Sequence, residues 1–352
     1  MRIVVNDIAA DGGGVLTVLL DFYQYIRDND KENEWFFLLG GDFIEPTDRI
    51  HVIKLPQVKQ SYLKRLQFDF LTGRKMINDL KPDVVFSLQN TITYGVSAPQ
   101  VAYQHNLLPF QDVKRYSFLK SAERKLAMYQ HLIGGVIRAA VKKADKLIVQ
   151  TEWMRQAVAK KSRVSTDKIA KIAPNVEDLG HLRVDIPRRK DLFFFPTSDM
   201  LYKNIDCIRA AAEMLTQKGI DFEVRVTVPP KAPQKGMVYL GQIPREEVMR
   251  QFCEGALVFP SYIESFGYPL IEAAQMGAVV LAADLSFAHE VLGDYENAYY
   301  FDPFNPQALA DLMEKVITGE IVRKEVFRKA EAVGNSWALV VDELLKSAAE
   351  GK

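Results

Sequence analysis

Cysteine is almost missing from this chain: Cys207 and Cys253 are the two among 352 residues. Both sit in helical patterns with no metal-ligand spacing around them, which argues against a disulfide framework or a zinc site and suits a reducing compartment. Long apolar runs are lacking as well. Stretches such as LIGGVIRAAV (132–141) stop short of the roughly 18 to 20 residues a membrane span requires. The opening MRIVVNDIAADGGG has neither the n-region nor the cleavage site of a signal peptide, so a cytoplasmic protein is expected. Net charge is absent too, with 45 Lys and Arg against 45 Asp and Glu. That balance conceals an asymmetry: residues 1–178 carry 26 basic and 20 acidic side chains and residues 179–352 carry 19 and 25, a difference of +6 against −6. Such a split favours a basic half that meets an anionic partner, and it also occurs between domains that bind no charged ligand.

With 48% hydrophobic and 26% charged residues, the chain can bury ordinary cores and is long enough for two domains. Apolar, β-rich runs of four to seven residues alternate with helical stretches: RIVV, EWFFLLG, DVVFSL, QVAYQH and KLIVQ in the first half. Runs this continuous read as strands covered on both faces, with helices crossing between them. After KIAPNVEDLGHLRVDIPRRKD (169–191), rich in charge and turn residues, the pattern restarts with LFFFPTS, FEVRVTV, ALVFPS, AVVLAAD and AYYFDP. The expected fold is therefore α/β, with two Rossmann-like doubly wound domains facing a cleft. The expected boundaries are 1–178, 179–335 and a final helix over 336–352 that could pack back on the first domain.

One stretch places two carboxylates eight positions apart around a Phe-Gly-Tyr-Pro turn: SYIESFGYPLIEAAQMG (261–277), with Glu264 and Glu272. ALVFPS ends a strand, Pro269 suits the first position of a helix and Gly277 the residue after one, so a helix is expected over roughly 269–276. Glu264 then precedes the helix and Glu272 falls in its first turn, near the positive end of the dipole, with the main-chain N–H groups of Ser265, Phe266 and Gly267 pointing the same way. A helix N-terminus suits a phosphate, and each carboxylate can accept two hydrogen bonds from a vicinal diol. Sugar nucleotides combine both features.

At this point the chain resembles the retaining, nucleotide-sugar-dependent glycosyltransferases of GT-B fold, in which PSYIESFGYPLIEAAQMG matches a Glu-x7-Glu signature. The resemblance extends to Gly12, Gly13 and Gly14 after the first strand, to APNVED ahead of the linker, to FFFPTSDMLYKNIDCIRAAAEM, to VYLGQIPREEVMRQF and to HEVLGDYENAYYFDP. It implies that Glu264 touches hydroxyls of the transferred sugar and Glu272 holds the ribose. Gly13, Gly14, Ser265, Phe266 and Gly267 would line the donor, Lys203 beside Asn204 would bind its diphosphate, and His105 in VAYQHNLLPF would stand near the transferred sugar. No metal or other cofactor is implied. The family's usual arginine five residues before the lysine is replaced by Ser198, which removes one positive charge from the leaving-group side.

Plainer readings stand beside these. An isolated pair of glutamates at this spacing is ordinarily a loop charge and a helix charge. A glycosidase pair would need carboxylates about 5 to 9 Å apart across the scissile bond, which spacing does not establish. Gly12 and Gly14 open a dinucleotide fingerprint whose third position is Thr17, so NAD is weakly supported. Asp28-Asn29-Asp30 imitates a metal motif but lies in the charged loop RDNDKENE and reads as a solvated turn. Lys203 alone could be a surface lysine, and His105 alone a satisfied core histidine. Residues 114–146 carry nine Lys/Arg and two Asp/Glu, either a solvated basic face or a peripheral contact with anionic lipid at the inner face of a membrane. Nucleic acid is not indicated, since no binding motif accompanies the charge. The expected function is hexose transfer from a nucleotide diphosphate sugar to a saccharide or lipid-linked acceptor in cell-surface polysaccharide synthesis. A non-catalytic subunit of the same fold and a sugar-nucleotide epimerase are the alternatives.

Overall fold

A computed structural model describes residues 1–329 and 335–351. Residues 330–334 and Lys352, which fall inside the segments expected at 179–335 and 336–352, lie outside the described residues. The chain divides into two compact units. The first takes Met1–Gln111, Lys125–Asn175 and the final helix Ser336–Glu350; the second takes Asp112–Arg124 and, among the described residues, 176–329. Residues 112–124, read from sequence as part of the first domain, thus group with the second unit.

The first unit is built on seven strands: β1 (Arg2–Asp7), β2 (Glu34–Leu39), β3 (Ile50–Lys54), β4 (Val84–Ser87), β5 (Gln100–Tyr103), β6 (Lys146–Val149) and β7 (Ile169–Lys171). Their order is β3-β2-β1-β4-β5-β6-β7, every pairing parallel. Order reverses at β1, whose register sets Asn6 beside Ser87 of β4, so the carboxyl ends of these two strands flank the topological switch point. Helix Gly13–Asn29 follows β1 and buries Leu19, Phe22, Tyr23 and Ile26 along one stripe. Phe22 lies edge-on to Trp35 at 5.6 Å and to Phe86 at 5.3 Å. The helix Ser336–Glu350 completes this core by bringing Trp337 to 5.0 Å from the Phe22 ring.

The second unit repeats the principle with six parallel strands: β8 (Leu192–Phe195), β9 (Glu223–Val226), β10 (Met237–Tyr239), β11 (Ala256–Phe259), β12 (Val280–Ala283) and β13 (Ala298–Phe301). They run in the order β10-β9-β8-β11-β12-β13. Every residue of β8, β11 and β12 is buried, the property that made these segments read as continuous apolar runs. Both units are therefore parallel-sheet α/β domains of doubly wound type. Cys207 and Cys253 are buried free thiols. Asp28 and Asn29 close the helix Gly13–Asn29 instead of lying in the turn the sequence suggested, and only Asp30, its C-cap, enters the connection, accepting from the Glu32 and Asn33 main-chain N–H groups and from the Trp35 indole.

Candidate active site

In the second unit, β11 delivers the chain to the turn that carries the paired acids. The helix after it spans Tyr268–Gln275 and starts one residue earlier than the sequence suggested. Gly267, its N-cap, has φ 87°, a left-handed conformation that a Cβ would strain, and a built Cβ would also stand 3.1 Å from Leu270 Cδ1. Gly277 beyond the other end has φ +73°. One consequence corrects the sequence reading: the first helical turn holds no acidic residue, and Glu272 is the fifth residue of the helix. Its electrostatics come from neighbours more than from the helix terminus, since macrodipole effects fade within the first turn.

Glu264 and Lys203, 61 positions apart, meet here. Lys203 Nζ lies 2.6 Å from Glu264 Oε1, and the two side chains are 19% and 13% exposed. Lys203 ends a short 3-10 turn, Leu201–Lys203, and Asn204 follows it at φ 59°. Sequence reasoning placed Asn204 with the donor. Its side chain is instead taken up by the fold, donating to the carbonyls of Pro260 (3.2 Å) and Pro303 (2.9 Å) and accepting from Tyr262 Oη–H (2.7 Å). Asparagine is among the few non-glycine residues at ease in this region, and the three bonds lock the turn that aims Lys203. Tyr262, which the sequence reading passed over, anchors that lock.

Burial pushes the Glu272 carboxyl above its ordinary range, Arg245 opposes the rise and Glu177 adds to it. Arg245 Nη2 stands 3.4 Å from Glu272 Oε1 and 3.3 Å from Glu177 Oε2. Ser198 is exposed after β8, so the serine in place of arginine stands at the surface of this unit. Among the described residues no group of three or more His, Cys, Asp or Glu side chains is placed to hold a metal ion.

Ser265 and Phe266 are half-buried in the turn between β11 and the helix Tyr268–Gln275, and the other predicted residues belong to the first unit. Gly13 opens helix Gly13–Asn29 at φ +58°, and a Cβ built on Gly12, Gly13 or Gly14 meets nothing within 4 Å. His105 follows β5, where Asn90 holds it: Asn90 Oδ1 accepts from the main-chain N–H groups of His105 and Asn106, both at 2.8 Å. That fixes the amide, so Asn90 Nδ2 donates to His105 Nε2 at 3.0 Å and the neutral ring keeps its proton on Nδ1. Burial lowers the imidazole to about 4, which leaves it uncharged at neutral pH. Asn90 has φ 66°, a signal no periodicity reveals. Asp7, the last residue of β1, is fully buried with both carboxylate oxygens unpartnered in the protein, and burial lifts it to about 7 against the opposing charges of Arg65 and Lys59.

Residues 232–333, the stretch containing both paired acids, match the family described as Glycosyl transferases group 1. The serotype-specific mannosyltransferase WbdA of Escherichia coli is 23% identical over 304 residues, covering 74% of this chain and 35% of that protein. The chain therefore spans about a third of the length of the curated relatives it matches. Among solved structures, the lipopolysaccharide outer core galactosyltransferase WaaB superposes with a TM-score of 0.66 at 14% identity, over 98% of this chain and 99% of that one. WaaG, a glycosyltransferase involved in lipopolysaccharide biosynthesis, gives 0.64 at 14% identity, over 99% and 94%. HepE of Anabaena in complex with UDP and glucose gives 0.58 at 15% identity, over 99% and 98%. Two doubly wound domains of this kind define the class as the GT-B glycosyltransferase fold. Within that fold, residues 232–333 are the part that is similar to the group 1 glycosyl transferases.

Proposed function

We propose that this protein is a retaining glycosyltransferase that moves a hexose from a nucleotide diphosphate sugar to a saccharide or lipid-linked saccharide acceptor in cell-surface polysaccharide synthesis. The observation that carries the reading is the Lys203–Glu264 pair at 2.6 Å, placed beside the Gly267 turn with Glu272 on the helix behind it. Names of similar proteins support the substrate class: a mannosyltransferase, a galactosyltransferase of the lipopolysaccharide outer core, and a protein crystallised with UDP and glucose. In this reading Lys203 and main-chain amides at the turn take up the charge that develops on the leaving diphosphate, without a required metal. Glu264 accepts from hydroxyls of the transferred sugar, and Glu272 from the ribose. In the first unit, Asn90 and burial keep His105 neutral, and Gly13 and Gly14 keep side chains off the turn after β1. Retention follows the family pattern, in which the departing phosphate helps deprotonate the acceptor.

A panel of UDP-, GDP- and ADP-sugars tested by thermal shift checks the donor assignment. One member at 100 times its dissociation constant is expected to stabilise the fold by roughly 2.7 kcal/mol. No shift with any member would favour the second reading, a non-catalytic subunit, which the loss of the usual arginine at Ser198 motivates.

A peripheral membrane contact belongs to the same proposal. In the first unit, Met128 and Leu132 are exposed on the helical run over 125–143, as are Leu63 and Leu71 on the preceding helices, with Lys64 and Lys125 also exposed. Apolar side chains among basic ones suit an anionic lipid surface. The protein is expected to sediment with vesicles containing phosphatidylglycerol at low salt and to stay in solution with phosphatidylcholine alone. Equal recovery with both would remove this part.

A further inference from the structure

Arg245 stands where a cation is electrostatically out of place. It is the first residue of helix Arg245–Glu254, whose opening turn also carries Glu246 and Glu247. Helix N-termini favour acids and disfavour bases, so a guanidinium at this position gains nothing from the helix. What holds it is a pair of carboxylates from two other segments, Glu177 at 3.3 Å and Glu272 at 3.4 Å. Glu177 is itself kept in register. Gln275, three residues after Glu272 on the same helix, donates through Nε2 to the Glu177 carbonyl at 2.9 Å and accepts the Leu179 N–H at 2.7 Å. The three charged side chains thus form one bridge with Arg245 in the middle. Their exposures grade from 60% at Glu177 through 53% at Arg245 to 14% at Glu272, so only the Glu272 end is buried.

We infer that Arg245 is a positioning residue for the nucleoside end of the site, setting the charge and aim of Glu272 toward a ribose diol, with Glu177 as its counterweight. This rests on the donor reading above. An ionised carboxylate offers one acceptor oxygen to each hydroxyl of a diol, whereas a protonated one carries its own O–H on one of the two oxygens and accepts more weakly. Burial pushes Glu272 toward the protonated form; the charged groups facing it are Arg245, which opposes that, and Glu177, which reinforces it. The sign for each substitution follows. Arg245→Gln removes the cation and moves protonation of Glu272 to higher pH. Glu177→Gln removes the neighbouring anion, leaves Arg245 wholly to Glu272, and moves it to lower pH.

Calorimetric affinities of UDP, GDP and ADP, measured on the full chain from pH 5 to pH 8, test this. For whichever nucleotide binds, affinity is expected to fall as pH drops, with the midpoint raised in Arg245→Gln, restored toward the unaltered protein in Arg245→Lys, and lowered in Glu177→Gln. At pH 6, Arg245→Gln should bind about tenfold more weakly than the unaltered protein. The matching 2′-deoxynucleotide, lacking half the diol, should lose much of its sensitivity to all three substitutions. Superimposed pH profiles for the unaltered protein and Arg245→Gln, with nucleotide binding intact, overturn the role of Arg245 and leave the donor reading standing. Absence of binding by the unaltered protein to all three nucleotides overturns both.

Discussion

Replacing Lys203 with alanine is expected to lower sugar transfer by two to three orders of magnitude. Donors aimed at developing charge in a water-poor site contribute about 3 to 4 kcal/mol each, and Lys203 is the cation assigned to the leaving diphosphate. Its pairing makes the loss sharper. Lys203 Nζ touches Glu264 Oε1 at 2.6 Å with both side chains largely shielded, so the alanine variant also leaves Glu264 without its partner in a setting that disfavours a lone charge. A bound donor would change partners at both ends: the diphosphate draws Lys203, and the released Glu264 turns to the sugar hydroxyls. The two residues then act as one device. A double variant, Lys203→Ala with Glu264→Ala, should be little worse than either single variant, whereas independent roles would multiply. Melting temperatures of Lys203→Gln and Glu264→Gln separate loss of chemistry from loss of fold. Transfer rates within twofold of the unaltered protein in both alanine variants would remove the pair from the mechanism.

Asp7→Asn is expected to stabilise the protein in mild alkali. The Asp7 carboxyl is raised to about 7 by burial, from an ordinary value of 3.8. Between pH 4 and pH 7 or so the folded chain therefore holds a proton that the unfolded chain has released. Stability depends on the difference in bound protons, so it falls as pH rises through that window and stays at its lower level above it. The loss amounts to at most about 4 kcal/mol, taking roughly 1.4 kcal/mol per pH unit. Asparagine matches the neutral acid in shape and cannot ionise, so the variant should lack this slope. Urea unfolding at pH 5 and pH 8 checks it: comparable midpoints at the lower pH, and a higher midpoint for the variant at the upper one. Parallel pH dependence in the two proteins would mean that the charged form is better solvated than burial implies.

How much of this was legible beforehand depends on the range of the interaction involved. LFFF of β8, ALVF of β11 and VLAA of β12 could be read as strands covered on both faces, because burial on two sides demands unbroken apolar runs whatever the neighbours are. The helix over the paired acids was legible within one residue at each end, since Pro269 and Gly277 act through their own backbones. Glu272 was misplaced by one position, fourth instead of fifth in the helix, for the same reason in reverse: moving the helix start by one residue changes which side chains the first turn contains. Asn204 was singled out for its position beside Lys203, yet its amide serves carbonyls 56 and 99 residues away. Asn90 and Arg245 were not singled out at all.

The sequence by itself determined the two doubly wound sheets and the acids around Phe266, because apolar periodicity and the conformational limits of proline and glycine are local properties of the chain. Tertiary structure alone decided that Lys203 pairs with Glu264, that Arg245 bridges Glu177 and Glu272, that Trp337 closes the first core against Phe22, and that residues 112–124 group with the second unit. Charges and amides find partners by distance in space, and no one-dimensional pattern encodes that distance until the strands are ordered.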